Sequence, residues 1–290
     1  IEDGWPRETP PAEENGGFES YQERIDAHKV RARSESFGDH YSQARLFWHS
    51  QSDVEKEHII AAYAFELSKV ERPWIRERVI KEILPNIDME LARRVGEVHG
   101  VKPPEHPPAP SEELGTTSLD ASSALSLMHR GQPDIRYRKV AILAADGVDG
   151  DQVEALQKRL EAEGAQGLII APSMAPVATV QGGTLTPDAM LNGLPSVTLD
   201  AVAVAPGDDS VKALAGSGLG LYYVQEAYKH LKPIAALGDG ANVLQAAGIE
   251  VPEDGVFSAQ TVDDLYADFQ EAIRGHRVWS RDAKANDMPA

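Results

Sequence analysis

From Arg138 onward the chain alternates short apolar runs with amphipathic stretches, and no other feature constrains its fold as tightly. Residues 139–145, 165–171, 200–205 and 233–237 are made up mostly of Val, Ile, Leu and Ala. Runs this short and this uniformly apolar suit strands buried on both faces, which need helices to cover them. Residues 151–163, 221–231 and 262–274 have helical spacing, and 241–248 reads as a short helix after the turn 238–240. Gly182 and Gly183 predict a hairpin inside an insertion. The pattern specifies an α/β fold with a doubly wound parallel sheet over residues 138–290. Such sheets gather their sites at the carboxyl ends of the strands. Loops 146–150, 207–209 and 238–240 are therefore expected on one rim.

The first hundred residues follow other rules. Residues 1–51 read as an extended arm or wrapping segment, rich in Gly, Pro and charge at its start, where Trp5, Phe18 and Tyr21 need a surface to pack on. Ile1 opens the chain in place of Met, and the first fifteen residues read as a loop cut from something longer. Residues 52–100 read as a small α-helical domain. Ser52 and Glu55 have capping-box spacing before an amphipathic run, whose stripe is expected to be Val54, His58, Ala61, Ala62, Phe65 and Val70. Pro73 opens a second helix over 74–84, with Ile75, Val79, Ile80 and Ile83 on one side and Pro85 ending it. Asp88 caps a third helix through Val98, closed by Gly100. Residues 101–137 form a linker. Its stretch VKPPEHPPAPSEELG is expected to be extended and semi-rigid, and the Ser/Thr-rich part after it shows no periodicity.

Composition excludes several functions. The chain has 290 residues and is 42% hydrophobic, enough to build cores. No apolar run reaches transmembrane length, and no signal peptide is visible. The net charge is −18. Residues 1–100 carry 14 basic and 20 acidic groups and residues 138–290 carry 11 and 21, so neither part resembles a surface for nucleic acid or anionic membrane. There is no cysteine, which removes disulfides, thiolate metal sites and cysteine nucleophiles. That composition fits a reducing compartment, and a cytoplasmic location is expected.

The rim holds the candidate chemistry. Asp146, Asp149, Asp208, Asp209 and Asp239 could gather to hold Mg²⁺ or Ca²⁺ or to share a proton. The reading adopted instead is that they serve as turn and helix-cap residues. Gly216, Gly218 and Gly220 precede a helix and could admit an anion. They lack the spacing of a dinucleotide loop and do not follow a strand, so a flexible loop is expected there. The nine histidines include no tight ligand pair, and His40, His49 and His58 are expected at surfaces or interfaces. No Gly-x-Ser-x-Gly elbow occurs.

Two segments carry a resemblance. DAVAVAPG (200–207) and KPIAALGDG (232–240) are similar to the strand and nucleophile-elbow segments of the class I glutamine amidotransferase-like superfamily, which is flavodoxin-like in fold. The superfamily's nucleophilic Cys falls on Gly238, the His after it on Asp239, and the supporting acid near Asp149. The resemblance implies a kept scaffold with a degenerate elbow at Gly238 and Asp239, a degenerate acidic position at Asp149, and no catalytic residue in the segment.

Upstream, WPRETPP (5–11), GGFESYQER (16–24), KVRARSESFGDHYSQARLFW (29–48), FELSKVERPWIRERV (65–79) and the tail HRVWSR (276–281) resemble the large-subunit monofunctional haem catalases of the hydroperoxidase II type. The resemblance implies the C-terminal portion of an enzyme that dismutates H2O2 to water and O2. In that family haem belongs to a barrel upstream, with a proximal Tyr in an Arg-x-x-x-Tyr motif that this chain lacks, so no cofactor and no metal are expected here. Tyr21 and Tyr41 are assigned no ligand role. Expected partners are that barrel and the other subunits of a homotetramer, with no nucleic acid and no membrane. The segment itself is expected to be non-catalytic, stabilising the subunit, the tetramer and the route to the haem. Chaperone-like holding of unfolded clients, or a small-molecule site on the rim, are the alternatives.

Overall fold

The computed structural model describes residues 22–108, 119–128, 134–285 and 287–288. Trp5, Phe18 and Tyr21 lie outside the described residues, as do WPRETPP and much of GGFESYQER. Residues 22–34 are exposed and have no regular structure. A 3₁₀ turn at Glu35–Gly38 then leads into helix α1 (Ser42–His49).

Helix α2 (Asp53–Ser68) starts at the expected capping box. The Glu55 amide donates to Ser52 Oγ and the Ser52 amide donates to Glu55 Oε2 at 2.9 Å. Its buried face differs from the expected stripe. Ile60, Ala64 and Leu67 are buried, whereas His58, Ala61, Ala62 and Phe65 are exposed. The run IIAAYAFEL is apolar nearly all round, so periodicity alone cannot choose a side. The choice falls to what packs against it: Leu91, Ala92 and Val95 of α4 join Trp48, Ile60, Leu67, Ile80 and Leu84 in one core.

Helix α3 (Pro73–Arg78) has Pro73 in its first turn. It continues through a π turn, Val79–Ile83, and a 3₁₀ turn, Leu84–Asn86, that contains Pro85. The irregular turns place Leu84, not the expected Ile83, beside Ile80 in the core. Helix α4 (Met89–His99) is capped by Asp88, which accepts from the amides of Glu90 and Leu91, and Gly100 closes it in the left-handed conformation.

The Ser/Thr-rich part of the linker is not free chain. Glu55 accepts from Ser126 Oγ and from the Leu127 amide, both at 2.8 Å, as well as from Ser52. Gln51 Nε2 donates to the Leu125 carbonyl and the Ser122 amide to Ser50 Oγ. Burial disfavours the Glu55 carboxylate, but these donors outweigh it and hold its pKa below the ordinary value.

The α/β part follows the expected alternation: β1 (Lys139–Leu143), α5 (Gly150–Ala162), β2 (Gln166–Ala171), the hairpin β3 (Val177–Ala178) and β4 (Thr184–Leu185), and β5 (Ala189–Met190). Then come β6 (Ala201–Val204), α6 (Asp208–Ala215), α7 (Gly218–Lys229), β7 (Ile234–Leu237), α8 (Ala241–Ala246), β8 (Val256–Ala259), α9 (Val262–Gly275) and α10 (Asp282–Ala285). The sheet order is β5-β2-β1-β6-β7-β8 with every pairing parallel. Without the edge strand β5 this is the flavodoxin order 2-1-3-4-5, whose switch point lies between β1 and β6. One face packs on α5 and α9 through Leu156, Leu160, Leu265 and Phe269. The other packs on α6, α7 and α8 through Leu214, Val224 and Leu244. Sequence reading did not resolve α6, β5 or β8, since two are short and α6 merges into the glycines after it.

Below the sheet, Lys232 is 1% exposed. Its ammonium donates to the carbonyls of Val197, at 2.8 Å, and Leu199. The carbonyl of Lys232 in turn accepts from the buried Arg281, whose guanidinium lies over the Tyr228 ring. Burial, reinforced by Arg277 and opposed by Asp200, pulls Lys232 from 10.5 to about 8. The unfolded chain holds this proton up to the higher pKa, so between these values it binds more protons and stability rises with pH. In thermal melts, the wild type should gain on the Lys232→Met variant as pH rises from 8 to 10. A pH-independent difference between them would show that Lys232 titrates normally.

Candidate functional site

The sheet brings the three expected loops together at the carboxyl ends of β1, β6 and β7. The Asp149 amide donates to the Pro206 carbonyl at 2.8 Å. The Gly207 amide donates to Asp239 Oδ1 at 2.9 Å. Ser210, fully buried at the start of α6, accepts from the Ala145 amide at 2.9 Å. Gly207 has φ +133°, and a Cβ there would lie 2.2 Å from the Gly147 carbonyl oxygen. Only glycine allows two loops to approach this closely.

Four of the five rim carboxylates have a local task. Asp149 Oδ1 caps α5 by accepting from the amides of Asp151 and Gln152, and also accepts from Gln181 Nε2 at 2.7 Å. Asp146 accepts from the Ala178 amide at 2.9 Å. Asp239 holds the Gly207 amide. Asp208 is exposed and pairs with Lys212 one turn on at 2.6 Å, which raises the lysine pKa. A Cβ added to Gly147 would lie 2.8 Å from the Asp209 Cβ, so the two backbones run close together there. Among the described residues none of these carboxylates bonds to a hydroxyl, thiol or imidazole, and no three His, Cys, Asp or Glu gather as a metal site.

The hairpin occupies the space above β1. Gly147 donates to the Ala178 carbonyl, and the Val180 amide donates to the Val148 carbonyl at 3.0 Å. Thr179 pairs with Val148 in a parallel bridge. Gln181 spans Asp149 and the Gly150 amide. Sequence reading found the hairpin from its glycines but not its position over the rim. Gln181 and Ser210 were also missed, because an isolated Gln or Ser has no local signature.

At the end of β7, Gly238 has φ +52° and opens the 3₁₀ turn Gly238–Gly240, and α8 follows. A Cβ on Gly238 would meet the Pro206 Cβ at 3.1 Å. The strand–turn–helix elbow is thus built as expected, with a positive φ where an elbow presents its reacting residue. Here that residue has no side chain.

The other candidates do not join the rim. Gly216 caps the end of α6, and Ser217 caps α7 by accepting from the Gly220 amide. A Cβ on Gly220 would lie 2.5 Å from the Leu214 carbonyl oxygen. This stretch is a tightly packed helix junction, not the expected flexible loop. His58 bonds Asp282 at 3.1 Å beside the Trp279 ring, His49 lies 3.9 Å from Asp88, and His40 stacks edge-on to Tyr41. His58 therefore joins the helical region to the chain's tail.

Known proteins resemble the chain in two stretches. A family model described as the C-terminal domain found in long catalases matches residues 136–283. Another, described as catalase-related immune-responsive, matches residues 34–98. Catalase HPII of Pseudomonas aeruginosa is 47% identical over 293 residues, which cover 100% of this chain and 40% of that protein. Catalase HPII of Pseudomonas putida is likewise 47% identical, with 40% of its length covered. Catalase-B of Dictyostelium discoideum is 37% identical, with 42% covered. The chain thus spans about two fifths of the length of these relatives.

The elbow geometry can be tested by substitution. Gly238→Ala forces an L-residue into the left-handed region and should lose about 1–2 kcal/mol in denaturant unfolding. Asp239→Ala strands the Gly207 amide and should lose about 1 kcal/mol, whereas Asp239→Asn, which still offers an oxygen, should lose less. A Gly238→Ala protein of full stability would contradict the strained turn.

Proposed function

The chain belongs to the family of C-terminal domains found in long catalases, and from that premise we propose that it is the non-catalytic C-terminal segment of a haem catalase. The parent enzyme would dismutate H2O2 to water and O2. In this reading residues 1–51 wrap neighbouring subunits of a homotetramer, and residues 52–100 cover the haem barrel. Residues 101–137 link these to residues 138–290, a flavodoxin-like domain that caps the assembly and lengthens the route to the haem. The observation that carries the covering role is the apolar surface of the helical region. Phe47, Phe65, Trp74 and Val98 are exposed on four different helices, Phe65 by 61%. Where such side chains lie side by side, they mark a face that binds something.

The rim supports the absence of chemistry. Gly238 cannot attack a carbonyl, and Asp149 and Asp239 each commit one oxygen, Oδ1, to amides. The described residues also do not fit haem. The buried tyrosines Tyr223, Tyr228 and Tyr266 donate to the Leu194 carbonyl, to Glu253 and to the Arg159 carbonyl. No tyrosine in the sequence follows an arginine by four positions.

A second reading rests on the same exposed side chains. Separated from a barrel, they could hold unfolded clients, with the acidic surface keeping such complexes dispersed. Under that reading the segment suppresses light scattering by a heat-denatured client, and Phe65→Ser with Trp74→Ser abolishes the effect. A covering role alone gives no suppression.

The direct test is an absorption spectrum of the 290-residue chain with added haem, beside oxygen release from H2O2. The expected result is no Soret band and no oxygen. In the longer catalase, Asp239→Asn should leave turnover unchanged. A sharp Soret band with rapid oxygen release from the segment would overturn the non-catalytic reading.

A further inference from the structure

The amino ends of the strands, opposite the rim, gather positive charge. Arg138 lies just before β1, Asp200 before β6 and Lys232 before β7, and His276 and Arg277 follow α9 directly. Arg138 Nη1 donates to Asp200 Oδ1 at 2.9 Å, and the Lys139 amide donates to Oδ2 at 2.9 Å. His276 Nε2 lies 3.6 Å from the same Oδ1 and accepts from Arg277 Nη1 at 2.9 Å. Short contacts thus run from Arg138 through Asp200 and His276 to Arg277. Burial, with Arg277 and Arg138 beside it, pulls His276 down to about 4, so it adds no charge at neutral pH. The buried Lys232 ammonium lies near enough to act on His276, and Arg277 acts on Lys232. Three cations, Arg138, Lys232 and Arg277, therefore share one carboxylate, Asp200, an excess of two positive charges in a chain of net charge −18. The flanking arginines add nothing net, since Arg136 pairs with Asp134 and Arg274 with Glu271.

The unused donors of this cluster reach solvent. Nε and Nη2 of Arg138 donate to nothing among the described residues, and neither do Nε and Nη2 of Arg277. None of these four nitrogens is shut off from solvent. Nε and Nη2 form the side-on fork of a guanidinium, the edge that takes two oxygens of one anion. Arg277 Nη1 is already spent on the ring and carbonyl of His276. Lys232 contributes charge alone, because its ammonium is held by the carbonyls of Val197 and Leu199. The backbone is also strained where it presents these groups. Tyr137, Leu231 and His276 are the non-glycine residues of positive φ among the described ones, at +66°, +58° and +68°, and each immediately precedes a cation of the cluster. His276 centres a γ-turn, which the Arg277 amide closes on the Gly275 carbonyl at 2.8 Å. Such conformations are costly and persist where the surroundings impose them, as at ligand clamps.

We propose that this end of the α/β part binds a phosphate group, gripped by the Nε–Nη2 edges of Arg138 and Arg277 and balanced by the two excess positive charges. A carboxylate has oxygens for one fork only. A phosphate dianion has enough for two and matches the charge. The site lies away from the rim loops and does not depend on the catalase reading.

The test is calorimetric titration of the 290-residue chain with inorganic phosphate, phenyl phosphate and acetate, at neutral pH and at low ionic strength, where screening is weak. Inorganic phosphate should bind one to one with a Kd of about 1 mM or tighter, and acetate about tenfold more weakly. Tighter binding of phenyl phosphate would make the occupant a phosphate ester, and equal or weaker binding would make it the free ion. Arg277→Gln should weaken phosphate binding about tenfold, and Arg277→Lys, which keeps the charge without the fork, should fall between it and the wild type. Arg274→Gln, in an exposed pair, should change nothing. In NMR spectra of the wild type, phosphate should shift the Nε–H resonances of Arg138 and Arg277 and leave that of Arg274 in place. No saturable phosphate binding to the wild type overturns the proposal. So does acetate binding as tight as phosphate, or phosphate binding that survives Arg277→Gln undiminished.

Discussion

The α/β part depends on one close approach, where the loops after β1 and β6 meet at Gly207. Parallel strands send their chains out on the same rim, and at the switch point the two connections turn away to opposite faces. In many folds the crevice left between them receives a ligand. Here it is closed. Gly207 lies so near the Gly147 carbonyl that a methyl group could not fit, and the Asp149 amide and Pro206 carbonyl join across the gap. Asp239 then fixes Gly207 from the third loop, and the hairpin lies over what remains. Several backbone groups at the switch point bond to one another or to Asp239.

Closure at the rim also explains the carboxylates. Five aspartates at the ends of parallel strands suggest a cation or an acid–base pair, and three of them already hold loop amides. Asp146, Asp149 and Asp239 accept amide protons that would otherwise go unpaired where the loops fold over one another. They satisfy loop amides where the chain turns tightly at Gly147, Gly207 and Gly238.

The helical region shows a different dependence. Its capping box is local, but Glu55 also accepts from Ser126 and Leu127, about seventy residues away in the chain. A helix start legible from four residues thus doubles as the anchor of a linker that has no pattern of its own. The same region contains the misjudged stripe of α2. Ile60, Ala64 and Leu67 turn inward and leave Phe65 in solvent, because Leu91 and Val95 of α4 lie on that side. An apolar residue at a helical position does not by itself say which face of the helix is buried.

Local chemistry was enough to read the strands β1, β2, β6 and β7, the main helices, the caps at Ser52 and Asp88, the hairpin and the elbow. Each rests on neighbours in sequence: residue period, a capping side chain, or glycine at a turn. The emptiness of the elbow was legible too, since Gly238 has no side chain in any fold. Tertiary structure alone decided which face of α2 is buried, where the hairpin lies, and which amide each aspartate holds. These depend on distances between segments far apart in the chain, set by packing, and no local period or propensity encodes them.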